Sequence, residues 1–310
     1  MNIVENEKFE QNERVVDRLT KQAEKELIKV YRDSLKEIRA QVALAYEKYS
    51  REGSLSMGEM MKYGRLVKLE EAIAKELSKL TGRETRITKK AIKDVFAESY
   101  YRAGWALETG AEVLLGFAVL KPEAIEAAIL NPYDRITWPE RVKDNAKVLN
   151  RQIREEITRG IIQGYSYDKT ARAVKERMDI GAKKAIRIVQ TETHRAQSQG
   201  TQAAFEKAAD KGLIFKRVWV STLDKKTRDK HRALDGQKVD IDEPFKIAGM
   251  EAMYPGGFGV PSMDVNCRCS VRAEIEGMEP QLRRARDPVT GKNVVIRTTT
   301  YQEWYNNTVK

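Results

Sequence analysis

"LIFKRVWVSTLD", residues 213–224, is where the chain changes character. Its side chains alternate and include many β-branched and aromatic types, the pattern of a strand. The chain before it reads as helix, and the chain after it as short mixed elements. The stretch therefore sets the expected fold class: α+β, with an extended, mostly helical N-terminal two-thirds and a small C-terminal α+β unit.

Upstream, apolar or small residues recur at Leu19, Ala23, Leu27, Val30, Ser34, Ile38, Val42, Ala45 and Tyr49, one stripe of a long helix. "SREGSLS" (50–56) breaks it. Leu66, Leu69, Ile73, Leu77 and Leu80 mark a second helix that Gly82 is expected to stop. A third is expected from Lys89 to about Leu115. Pro122, Pro132 and Pro139 punctuate 120–142, a joint of two short helices. Asn145–Gly160 reads as a helix, and Ser166 as the N-cap of the next. The stretch 180–212 reads as a long helix whose many small residues let another backbone approach. In its "TETHRA", Glu192 and Arg195 are positioned to pair, and His194 reads as an exposed or half-buried helix histidine. The segments expected are 1–119 (helical arm or bundle), 120–212 (helical core), 213–278 (small α+β unit) and 279–310 (basic tail with a hairpin turn at Thr290-Gly291).

Charged residues make up 33% of the 310, with a net charge of +11. That composition suits long solvent-washed helices and an anionic partner such as nucleic acid. No apolar run approaches the roughly 20 residues of a membrane helix, and the polar "MNIVENEKFEQNE" matches neither a signal nor a transit peptide. The triplet Arg283, Arg284 and Arg286 is a candidate for sequence-independent phosphate contact, against the plainer reading of a solvated linker.

Both cysteines of the chain lie in "NCRCSVRAEIE" (266–276). On a strand, Cys267 and Cys269 share a face and Arg268 points away. Two thiolates on one face can hold zinc, which takes about four ligands. His231 is expected as the third and an aspartate as the fourth, Asp264 first and Asp224 second. Two readings compete with this: a pair of small buried thiols, and a metal-free lock of hydrogen bonds among Asp224, Arg228, His231 and Asp235.

The motif order is distinctive. "TETHRA" precedes "W-x-x-x-x-D-x-x-T-R-x-x-H-x-x-L-D-G", then a Gly/Pro loop, then "NCRC". The matching residues are Thr191, Glu192, Trp219, Asp224, Thr227, Arg228, His231, Leu234, Asp235, Gly236, Asn266, Cys267, Arg268 and Cys269. Across about 130–275 the chain resembles the Mu F-like minor head protein family of tailed bacteriophages. Many relatives have T-C-x-x-C where this chain has Thr227–His231, and a histidine where Asp264 stands. Here Arg228 replaces one ligand and cannot coordinate, while His231 replaces another. The resemblance implies a non-enzymatic protein of the virion and procapsid interior, with portal protein, inner capsid wall and non-specific DNA as partners in assembly and in DNA packaging, retention or delivery. It also implies zinc as the metal, where one is bound. The rival readings are a metal-dependent phosphodiesterase or nuclease and a free DNA-binding regulator. No paired carboxylates or P-loop support the first, and no helix-turn-helix supports the second. Relatives fused to toxin domains exist, but the roughly forty residues after Cys269 are few for a catalytic domain.

Overall fold

The computed structural model describes residues 2–117, 120–130, 136–275, 282–286, 290 and 292–297. The helices are α1 (Asn2–Tyr49), α2 (Met57–Met61), α3 (Arg65–Ala111), α4 (Pro122–Ile129), α5 (Trp138–Ile162), α6 (Tyr167–Asp210), α7 (Asp229–Leu234) and α8 (Pro261–Asp264). The strands are β1 (Lys216–Val220), β2 (Lys238–Val239), β3 (Phe245–Ile247), β4 (Met250–Ala252), β5 (Ser270–Glu274), β6 (Leu282–Arg286) and β7 (Asn293–Arg297). The fold is α+β, as the strand at 213–224 implies. Among the described residues no helix is long and apolar enough to cross a membrane.

Four helices are longer than expected. α1 starts at Asn2, well before the stripe that opens at Leu19. α3 does not stop at Gly82; it runs unbroken through the second and third expected helices. The reason is its buried seam. Ile73, Leu77, Leu80, Glu84, Thr88, Ala91, Ile92 and Val95 continue at helical spacing. Packing along that seam outweighs the roughly 1 kcal/mol that an interior glycine costs. α6 likewise joins two expected segments into one helix. Ser166 caps it, its Oγ accepting from Lys169 N at 3.4 Å. Beyond its C-terminus, Gly212 adopts φ +89° and Leu213 N reaches back to Ala208 O at 3.1 Å. α5 begins at Trp138, with Pro139 in the first turn, where its missing N–H is harmless.

Contacts group the chain into two compact units that do not follow chain order. One comprises 1–20, 91–137 and 190–310; the other comprises 21–90 and 138–189. The segments read from composition, with boundaries at 119, 212 and 278, do not coincide with these units.

The second unit is helical. Its core includes Leu27, Ile38, Val42, Ile73, Leu80, Leu149, Ile153, Val174 and Met178. Within it, Tyr31 donates to Glu84 Oε2 at 2.8 Å, and Asn145 Nδ2 donates to the Tyr31 hydroxyl and to Gly181 O, both at 3.2 Å. A Cβ on Gly181 would lie 3.0 Å from Leu149, so this glycine admits its neighbours.

The first unit combines helical segments with the sheets. β1 is the middle strand of the antiparallel sheet β2-β1-β5, with Arg217 opposite Val239 and Ala273. β3–β4 and β6–β7 are separate hairpins. The second brackets the turn expected at Thr290-Gly291, with Arg286 paired to Asn293. Phe9, Tyr100, Leu107, Phe205, Phe215, Trp219, Phe245 and both cysteines share one core. α3 and α6 pass very closely here: a Cβ on Gly200 would sit 2.3 Å from Phe96 O. The small residues of 180–212 serve this approach.

Candidate metal centre

β1 supplies the floor of the site. Alternation turns Arg217 and Trp219 inward, and both are fully buried. Trp219 packs edge-on against Phe245 and against the His231 ring at 6.2 Å between centroids. The chain then loops to α7, which carries His231. The turn at Asp235-Gly236 returns it to β2: Gly236 adopts φ +79° and donates to Trp219 O at 2.9 Å. Asp235 Oδ1 accepts from Ser221 N at 2.7 Å.

The cysteines are in the extended segment just before β5 rather than in the strand itself. Their expected geometry still holds. Both are buried, whereas Arg268 between them turns out to Asp224, which it grips with both Nη atoms, Nη2 at 2.9 Å from Oδ1. Asn266 starts the segment with φ +53° and donates its amide to Thr191 Oγ1 at 3.3 Å.

His231, Cys267 and Cys269 come together, their candidate ligand atoms all within 4.8 Å of one another. His231 Nδ1 is 3.2 Å from Cys269 Sγ and 3.6 Å from Cys267 Sγ. Two ligands on a tetrahedral zinc with ordinary Zn–N and Zn–S bonds lie about 3.5 Å apart, so these separations suit the ion. Ser221 Oγ is the next neighbour, 3.8 Å from Cys269 Sγ, and it donates to His231 O at 2.5 Å. His231 Nε2 is buried without a hydrogen-bond partner among the described residues.

The two thiols titrate in opposite directions. The hydrogen bond to Cys269, together with burial, pushes Cys267 well up. Burial also opposes ionisation of Cys269, but the hydrogen bonds from Cys267 and His231 outweigh it and hold this thiol well below its ordinary range.

Asp264, expected as the fourth ligand, does not join the cluster. Its carboxylate faces the Gly/Pro loop, accepting from Phe258 N at 3.1 Å and Gly259 N at 2.7 Å. Burial raises its pKa. The side chain closes the loop instead of reaching the sulfurs. Asp224, the second choice, is also engaged elsewhere. Besides Arg268 it accepts from Lys226 N at 2.9 Å and Thr227 Oγ1 at 3.2 Å.

Asp224, Arg228, His231 and Asp235, expected to lock onto one another, make their described hydrogen bonds to other partners. Arg228 donates to Val265 O at 3.0 Å and Met263 O at 2.7 Å, tying the start of α7 to the end of α8. Glu192 and Arg195 pair as expected, at 2.9 Å and buried, and Arg195 Nε donates to Gly256 O at 3.0 Å. His194 is half-buried on α6. The side chains of Arg283, Arg284 and Arg286 on β6 lie outside the described residues.

Sequence reasoning passed over Arg217. Its guanidinium is wholly buried and donates to Gln202 Oε1 at 2.8 Å, Met253 O at 2.6 Å, Asp240 O at 3.0 Å and Glu243 O. The signal was present: strand alternation places Arg217 on the face of Phe215 and Trp219.

Fold and site together define an α+β protein in which a buried cysteine–histidine cluster and a set of charged hydrogen bonds hold a small antiparallel sheet against long helices. The family described as Phage Mu protein F like protein matches residues 151–272. The chain is 33% identical over 296 residues to minor head protein GP7 of Bacillus phage SPP1, covering 95% of this chain and 96% of that protein. It is 30% identical over 293 residues to the NAD(+)–arginine ADP-ribosyltransferase EFV of Enterococcus faecalis, covering 93% of this chain and 58% of that protein. No solved structure matches. The chain belongs to the Mu F-like minor head protein family of tailed bacteriophages.

Proposed function

We propose that the chain is a minor head protein, carried in the virion, that acts at the portal vertex and inner capsid wall during procapsid assembly and in DNA packaging, retention or delivery. One observation carries this reading: the similarity to a minor head protein runs nearly end to end in both chains. The role is structural rather than enzymatic. The similarity to an ADP-ribosyltransferase leaves more than a third of that enzyme unmatched, so its named activity is not carried over. A metal-dependent nuclease is disfavoured by the site itself. Its three candidate ligands are only 2–3% exposed, whereas a catalytic metal keeps a coordination position open to substrate.

Zinc, where bound, would be held by His231, Cys267 and Cys269 and would supply cross-linking of α7 to the segment before β5. The test of the main reading is co-expression with phage portal and capsid proteins. Sedimentation should place the chain with procapsids, and it should co-purify with the portal. A chain that stays in the soluble fraction would refute the reading.

A further inference from the structure

His231, Cys267 and Cys269 offer three donors, whereas a structural zinc takes about four. The two aspartates that sequence reading nominates are engaged elsewhere, Asp264 on the Gly/Pro loop and Asp224 on Arg268. His194, the other histidine of the chain, lies outside the cluster, and its ring bonds the backbone of Cys269. Among the described residues no further histidine, cysteine or carboxylate joins the three.

Ser221 stands beside them. Alternation carries the inward face of β1 from Arg217 through Trp219 to Ser221, one residue past the end of the strand. The side chain is buried, with Oγ 3.8 Å from Cys269 Sγ. An oxygen and a sulfur on one tetrahedral zinc lie about 3.6 Å apart, so the spacing fits. The orientation fits as well. A serine hydroxyl has one proton to give and two lone pairs. The proton goes to His231 O at 2.5 Å, while the lone pairs face Cys269, whose S–H points at them. The backbone here is fixed from two sides. Ser221 N donates to Asp235 Oδ1 at 2.7 Å, and Thr222 Oγ1 donates at 2.6 Å to the carbonyl of Arg268, between the two cysteines.

We propose that Ser221 Oγ is the fourth ligand of a zinc ion held by His231, Cys267 and Cys269. The proposal rests on the zinc reading of the cluster. Charge favours a neutral donor in this place. Two thiolates balance the two charges of zinc, and a neutral imidazole and hydroxyl add none. An aspartate instead of the hydroxyl would leave a net negative charge among side chains only 2–3% exposed, which is costly. Coordination by Ser221 would also tie the end of β1 to both α7 and the segment before β5.

The test uses the full chain loaded with zinc or with cobalt(II), whose absorption reports the ligands of a tetrahedral site. Ser221→Ala should lower zinc affinity about tenfold or more, measured by competition with a chelator, and should shift the visible cobalt bands. Ser221→Cys should raise the sulfur-to-cobalt charge-transfer absorption by about half, as three thiolates replace two, and should bind zinc more tightly than the parent. Thr222→Val removes a neighbouring hydroxyl that ties down the cysteine segment without touching the cluster, and should leave the cobalt spectrum unchanged. This separates a lost ligand from a loosened backbone. The proposal is overturned if Ser221→Ala binds zinc as the parent does, or if Ser221→Cys keeps the charge-transfer intensity of two thiolates. A parent that takes up neither metal would sink the zinc reading itself, and the fourth ligand with it.

Discussion

Glu84 is a carboxylic acid kept in a nearly anhydrous place. It is 2% exposed, and burial lifts its pKa to about 7 against the hydrogen bonds from Tyr31 and Asn145. A folded-state pKa above the unfolded value means the folded chain holds its proton more tightly. The stability that this group contributes is therefore fully present below about pH 4.5 and is lost as pH rises through 7. The loss should be on the order of 3 kcal/mol. Glu84→Gln removes the charge and keeps the shape. We expect thermal melts of the parent to fall between pH 5 and 8 relative to this variant; parallel curves for the two would contradict the assignment. His231 gives a second residue-level expectation. His231→Ala should destabilise the first unit whether or not metal is bound, because it strands two buried sulfurs. If zinc is bound, elemental analysis should give about one equivalent per chain, and a chelator should lower the melting temperature of the parent but not of this variant. Metal-free protein with an unchanged melt would remove zinc from the account. The convergence of His231 with the cysteines was legible in the sequence, because two thiols on one extended face need a nearby partner and His231 is the histidine nearest to them in the chain. The duty of Asp264 was not: its two loop amides become neighbours only once "YPGGFG" has folded back on α8.

Two glycines in long helices show how elements conceal their purpose. Gly82 and Gly200 both look like interruptions in a helical pattern. Around Gly82 nothing lies within 4 Å of an added Cβ. Gly82→Ala should therefore stabilise the protein by about 0.5–1 kcal/mol, through helix propensity and a less disordered unfolded chain. Gly200 is the reverse case. A methyl group there would press on the Phe96 carbonyl of the neighbouring helix at 2.3 Å. Gly200→Ala should cost roughly 1–3 kcal/mol as α3 and α6 are forced apart. Chemical denaturation of the two variants reads both signs, and equal effects would disprove the distinction. Local pattern alone cannot separate these positions, because the difference lies in a partner about a hundred residues away. The strand at β1 was legible for the opposite reason: its alternation is local.

At the scale of the molecule, the first unit is assembled from three stretches of chain, 1–20, 91–137 and 190–310. Phe9 from the first stretch packs on Phe205 from the third at 6.2 Å between rings, and Tyr100 from the second joins the same core. Removing residues 1–115 would thus take part of that core as well as a helical arm. We expect the truncated chain to bind a hydrophobic dye and to be cut readily by protease across 190–275; a resistant, cooperatively melting fragment would count against this partition. Composition could not reveal the grouping, since helical segments of both units share the same charged, amphipathic character. The three-part construction also sets a timetable on the ribosome. All of 21–90 and 138–189 has been made before residue 190 appears, so the helical unit can close early. The cysteine–histidine cluster is finished only when Cys269 emerges, with β5 alone of its core still to follow. A nascent chain stalled short of that point would carry its helical unit already folded and its sheet still missing.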